Sequence, residues 1–160
     1  MNRRELFKAF LPSGGESGKK FVRPPHTDEK TDFLACKECE GFCVKVCETG
    51  VLLRDEEGAP YLSFDRSGCS YCGECARVCP EGVISERKEK RIRARLTIDP
   101  RLCSAWNHTL CFSCKEPCLD DAIRFQGLSK PVILQDRCTS CGFCFSLCPT
   151  GAIRVVVDDS

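Results

Sequence analysis

Cysteine dominates the chemistry open to this chain: 16 of its 160 residues are cysteines, far above ordinary usage. Two stretches arrange them identically, Cys69-Ser-Tyr-Cys72-Gly-Glu-Cys75-Ala-Arg-Val-Cys79-Pro80 and Cys138-Thr-Ser-Cys141-Gly-Phe-Cys144-Phe-Ser-Leu-Cys148-Pro149. Both read C-x2-C-x2-C-x3-C-P, a run through which thiolates hold iron–sulfur clusters. Three sulfurs within one tight turn each reach a different iron of one cubane. The fourth, a helical turn later, leads away and ligates a neighbouring cluster, and the proline fits where the helix stops or turns.

Two further groups vary the pattern. Group one is Cys36-x2-Cys39-x3-Cys43-x3-Cys47, with Glu48 in place of the proline. Group three is Cys103-x7-Cys111-x2-Cys114-x3-Cys118, with the inserted loop 104–110. Disulfides would require export, and structural zinc favours paired C-x2-C knuckles split by a spacer over fourfold runs. The sixteen cysteines therefore divide into four sets of four, enough to cap every iron of up to four 4Fe–4S clusters. A capped cluster has no open iron for substrate, which points to one-electron transfer or structure. The formal charge of +1 treats the thiols as neutral; four clusters at about −2 each would bring the holo-protein to about −7.

Which cysteines share a cluster depends on how the groups pair. If neighbours pair, the crossed rule gives Cys69, Cys72, Cys75 with Cys47, and Cys36, Cys39, Cys43 with Cys79. The second half then gives Cys138, Cys141, Cys144 with Cys118, and Cys103, Cys111, Cys114 with Cys148. If the groups nest, the fourth ligands exchange differently. Spacing alone leaves both arrangements open.

The elements that must position these thiols form an internal repeat. The first cysteines, Cys36, Cys69, Cys103 and Cys138, are 33, 34 and 35 residues apart. Each last cysteine leads into a similar tail (Val51-Leu52, Val83-Ile84, Ala122-Ile123, Ala152-Ile153) that reads as a helical turn followed by a strand. Groups two to four are preceded by apolar strands ending at Asp65, Asp99 and Asp136. The pattern predicts an α+β, doubled bacterial-ferredoxin-like fold of four cluster-binding repeats, with short helices and small antiparallel sheets. Its expected parts are an arm and linker over 1–32, repeats one and two over 33–88, and repeats three and four over 89–160.

The N-terminal Arg3-Arg4 superficially resembles a twin-arginine export signal, but a polar linker follows where an apolar run is needed. A short amphipathic helix presenting Leu6, Phe7 and Phe10 is expected there, as a frayed end or a docking peptide. No segment is long and apolar enough to span a bilayer, and reduced thiols suit the cytoplasm. Phe21 to Asp32 reads as an extended wrap with His26 in solvent, before Phe33-Leu34 enters the core. Between groups two and three, Ile92, Ala94 and Leu96 alternate with arginines. That pattern implies a strand with a basic outer face, either simply solvated or docking an acidic partner. Trp106 and His108 of the inserted loop are expected as exposed contacts. Neither a nucleic-acid stripe nor a nucleophile–base pair, P-loop or dinucleotide fingerprint accompanies the clusters, so no enzyme is expected.

Across nearly its whole length the chain resembles the NapF family, ferredoxin-type accessory proteins of periplasmic nitrate reductase systems. The resemblance rests on the arginine pair without an export segment, Arg23-Pro24-Pro25, Phe33-Leu34 before the first cysteine, and the C-x7-C-x2-C-x3-C third group. It departs from the family at the x3 of group one and at His26, where a tryptophan is expected. The resemblance implies a cytoplasmic protein that binds the catalytic subunit before export and helps its maturation, with a redox partner protein. An electron-transfer subunit of a respiratory oxidoreductase complex is the alternative.

Overall fold

The computed structural model describes residues 20–158. The expected N-terminal helix with Leu6, Phe7 and Phe10 lies outside them. Regular elements among the described residues are short: strands of three to five residues, α-helices of four and a single 3-10 turn at Leu34–Cys36. Group one leads into α1 (Phe42–Lys45), group two into α2 (Glu74–Arg77) and group four into α3 (Phe143–Ser146). Each helix begins behind a glycine in the left-handed region: Gly41, Gly73 or Gly142, with φ of 72°, 82° and 84°. A side chain there would be strained, so glycine lets the loop turn sharply into the helix that carries the next cysteine.

The strands pair into three two-stranded antiparallel sheets. The hairpin of β1 (Leu52–Arg54) and β2 (Pro60–Leu62) lies between groups one and two. β4 (Ile123–Gln126) and β5 (Lys130–Ile133) form its counterpart between groups three and four. β3 (Ala94–Ile98) enters group three and pairs with β6 (Ile153–Val157), which leaves group four, with Leu96 opposite Val155. On β3 the alternation is as expected. Ile92, Ala94 and Leu96 are buried, while Arg93 pairs with Glu29 at 2.6 Å and Arg95 with Asp158 at 2.8 Å.

The first half departs from the expected repeat. No strand forms between Cys79 and β3, although Val83 and Ile84 are buried. The segment 22–27 closes this side instead. Leu62 N–H donates to Val22 O, His26 N–H to Glu89 O, and Ser85 N–H to His26 O. Arg23 anchors the segment on Asp55 at 3.1 Å.

Two side-chain expectations are corrected here. His26 is 6 % exposed, with neither ring nitrogen hydrogen-bonded, because the buried Pro24-Pro25 pair carries it inward. Leu34 is 79 % exposed, and Phe33 lies beneath the Arg23 guanidinium, 4.6 Å from the ring centroid. Val22 and the two prolines fill the space that Phe33-Leu34 was expected to occupy.

The core is continuous between the halves. One cluster joins Val22, Val51, Leu52, Leu62 and Phe64 to Ile92, Ala94, Phe145, Val155 and Val157. A second lies around Leu96, Ile123 and Ile153 and includes Cys114 and Cys144. Burial of such side chains contributes roughly 1.5–3 kcal/mol each.

Candidate functional site

All sixteen cysteines are free thiols, and they converge in four places. One cavity is lined by Cys36, Cys39, Cys43 and Cys79, and a second by Cys47, Cys69, Cys72 and Cys75. A third is lined by Cys118, Cys138, Cys141 and Cys144, and the last by Cys103, Cys111, Cys114 and Cys148. These are the neighbour-paired sets. Each group gives its first three thiols to one cavity and its fourth (Cys47, Cys79, Cys118 or Cys148) to the cavity of the neighbouring group. The nested alternative is not what the fold assembles.

The cavities suit a cluster better than a single ion. Each holds 330–420 Å³ of empty space, the mouth included. Among the described residues no three or more His, Cys, Asp or Glu side chains are arranged to hold one metal ion. Four thiolates spread around an apolar void match the corners of a cubane, whereas tetrahedral zinc draws its sulfurs to about 2.3 Å from one centre.

Electrostatics agree with this grouping. Burial, then the nearby Cys79, Cys43 and Cys39, push the Cys36 thiol up to about 11. Burial and the thiols of its own set, with Cys43 beyond them, push Cys75 up to about 12. Burial likewise raises Cys114 to about 11, with Cys103, Cys111 and Cys148 adding to it. These three thiols resist ionising until iron supplies the opposing charge. Cys148 behaves differently: burial pushes it up, but N–H donors at Ala152 and Thr150 outweigh that and lower it. Ala152 N–H donates to Cys148 Sγ at 3.2 Å, and Ala122 N–H to Cys118 Sγ at 3.3 Å. The tails after the last cysteines thus supply hydrogen bonds to sulfur, which tune cluster potentials.

Both irregular groups keep the arrangement by local means. In group one the extra residue falls between Cys39 and Gly41, ahead of the glycine, so α1 and Cys43 keep their relation. Arg54 supports that loop, donating to Gly58 O at 2.8 Å and to Cys36 O. In group three the insertion folds on itself: Asn107 Nδ2 donates to Cys103 O at 2.8 Å and Pro100 O at 3.0 Å. Trp106 is half-buried, its indole N–H bound to Pro131 O at 3.0 Å, and is not the exposed contact expected. His108 is exposed, as expected.

Comparison with known proteins points to the same cofactor. A 4Fe-4S dicluster domain model matches residues 35–83, and a 4Fe-4S binding domain model matches residues 131–154. The ferredoxin-type protein NapF of Escherichia coli K12 is 33 % identical over 82 % of this chain and 82 % of its own length. The chain belongs to the NapF family of ferredoxin-type proteins. NapF of Haemophilus influenzae is likewise 33 % identical, over 84 % of this chain and 78 % of its own. The methylamine utilization ferredoxin-type protein MauM of Methylorubrum extorquens is 29 % identical over 92 % of this chain and 78 % of its own. Like these relatives the chain is an iron–sulfur protein, and it binds 4Fe–4S clusters. No helix among the described residues is long and apolar enough to cross a membrane.

Sequence reasoning found the sixteen thiols and missed the residues that hold their loops: Arg54, Asn107, Phe64 and Gly68. Arg54 and Asn107 act through backbone carbonyls distant in sequence, and no motif marks them. Gly68 and Phe64 act through close approach of the two halves, described below.

Proposed function

We propose that the sixteen cysteines hold four 4Fe–4S clusters in a doubled ferredoxin, with 33–88 and 89–160 as its halves and 1–32 as an arm. The protein acts in the cytoplasm as an accessory factor for the catalytic subunit of a periplasmic nitrate reductase, assisting its maturation before export and able to pass it electrons. It is not itself an enzyme. The observation that carries the electron-transfer part is the set of four cavities, each lined by four thiols. Four thiolates cap four irons, leaving no coordination site for a substrate. Family membership supports the nitrate reductase partner.

The test is capture of the catalytic subunit by the tagged full chain under anaerobic conditions, comparing the leader-bearing and mature forms. Preferential capture of the leader-bearing form is expected. Equal capture of both, with electrons still delivered, would leave a plain electron carrier of a respiratory oxidoreductase complex. The MauM relative favours that second reading, since its name places a similar chain in methylamine utilization.

A further inference from the structure

The two halves meet through their cluster loops, and the contact is unusually close. Cys69 N–H donates to Cys141 O at 2.7 Å, joining the backbones of two cysteines that line different cavities. Two glycines make room for it. A Cβ on Gly68 would fall 2.6 Å from Cys141 O and 2.5 Å from Phe143 N, distances no side chain tolerates. A Cβ on Gly142 would fall 2.1 Å from the ring of Phe64, which reaches across from the first half. Phe64 and Phe145 lie with centroids 6.3 Å apart, and Tyr71 Oη donates to Thr139 O, so the seam is held on both sides of the hydrogen bond. On the second-half side, Ser140 Oγ donates to Ala94 O and fixes the loop against β3.

We infer that the Cys69–Cys141 contact is the electronic junction between the two halves, and that Gly68 sets its closeness. The inference rests on the four-cluster reading above. Electron tunnelling weakens steeply with distance and favours bonded and hydrogen-bonded paths over gaps. From Cys69 Sγ to Cys141 Sγ the path is two side chains, short stretches of backbone and one hydrogen bond. Within each half the sets also adjoin: α1 packs on α2, and Cys114 and Cys144 share one core cluster. The four cavities therefore form one row, with the Cys36 set at one end, the Cys103 set at the other, and this contact at the middle. Passage across it is a one-electron exchange: the acceptor side gains what the donor side loses, and no bond or proton changes place.

The experiment is paramagnetic resonance, with microwave power saturation, on the full chain loaded anaerobically and fully reduced. In the unaltered protein, spin–spin interaction is expected to extend beyond two separate pairs. Gly68→Ala is expected to weaken the interaction between halves while keeping the iron and sulfide content, moving the spectrum toward that of two independent pairs. Should that variant fail to hold its iron, Tyr71→Phe, which removes one hydroxyl from the seam, is expected to weaken the same interaction. Full loading with no interaction between halves in the unaltered protein, or an interaction undiminished in whichever variant stays loaded, would overturn the junction alone. Iron well short of about sixteen per chain would overturn the four-cluster reading, and the junction with it.

Discussion

At the scale of single residues, the thiols divide the work while their neighbours set its quality. Cys144 is 7 % exposed and lies in the core as well as in its cavity. Cys144→Ser should therefore remove one cluster, about four of about sixteen irons, and measurably destabilise the second half. Iron and sulfide analysis beside a melting curve checks both. His26 behaves in the opposite sense. Its ring is buried with both nitrogens unpartnered, a cost of about 1–3 kcal/mol where nothing compensates. His26→Phe is expected to be neutral or stabilising by about 1 kcal/mol, with iron retained, in denaturant unfolding of the loaded chain. A loss of stability would show that the imidazole makes a contact it needs. The thiols could be read from spacing because three ligands of one cubane must fall within one turn. His26 could not. Its burial follows from Pro24-Pro25 packing beneath the cavity that contains Cys47 and Cys72, a long-range fact that a polar stretch of sequence hides.

At the scale of elements, the small antiparallel sheets were legible where apolar runs carry them and obscure where long-range backbone partners replace a strand. The β3–β6 and β4–β5 pairs occupy the places that the apolar runs before and after groups three and four predict. After Cys79 the apolar pair Val83-Ile84 is present, yet His26 supplies the backbone partners and no strand forms. The pairing of neighbouring groups was likewise beyond spacing, because a fourth ligand's destination depends on which way its helix leaves the turn. The insertion in group three is an ordered element in its own right, tied down by Asn107. Asn107→Ala should cost about 1.4 kcal/mol locally, making an open form of that loop about tenfold more populated. Chelator-driven iron release should then speed up about tenfold for one cluster, while the other three keep their rates. Uniform acceleration would mean that the loop opens only with the whole molecule.

At the scale of the whole molecule, the question is what holds together a chain whose described residues form α-helices of four residues and strands of five at most. Isolated helices of that length do not form in water, and a lone two-stranded hairpin is marginal at best. Apolar burial is spread over two main clusters, and in both of them cysteines take part in the packing. Removing the clusters would leave four apolar voids in this small core, each lined by four thiols, and burial pushes up Cys36, Cys75 and Cys114 among them. Each bound cluster ties ligands from two groups together, Cys47 with Cys69 and Cys118 with Cys138 among them, and so closes loops that the short sheets alone would not hold. Metal binding is then folding free energy, as in other small domains assembled around metal. Stripping the iron with a chelator in anaerobic reducing buffer, which keeps the thiols free, should abolish the cooperative thermal transition and most of the ordered far-ultraviolet signal, and anaerobic iron and sulfide should restore both. Retention of a sharp transition by the iron-free chain would mean that the apolar core suffices and that the clusters serve electron transfer alone.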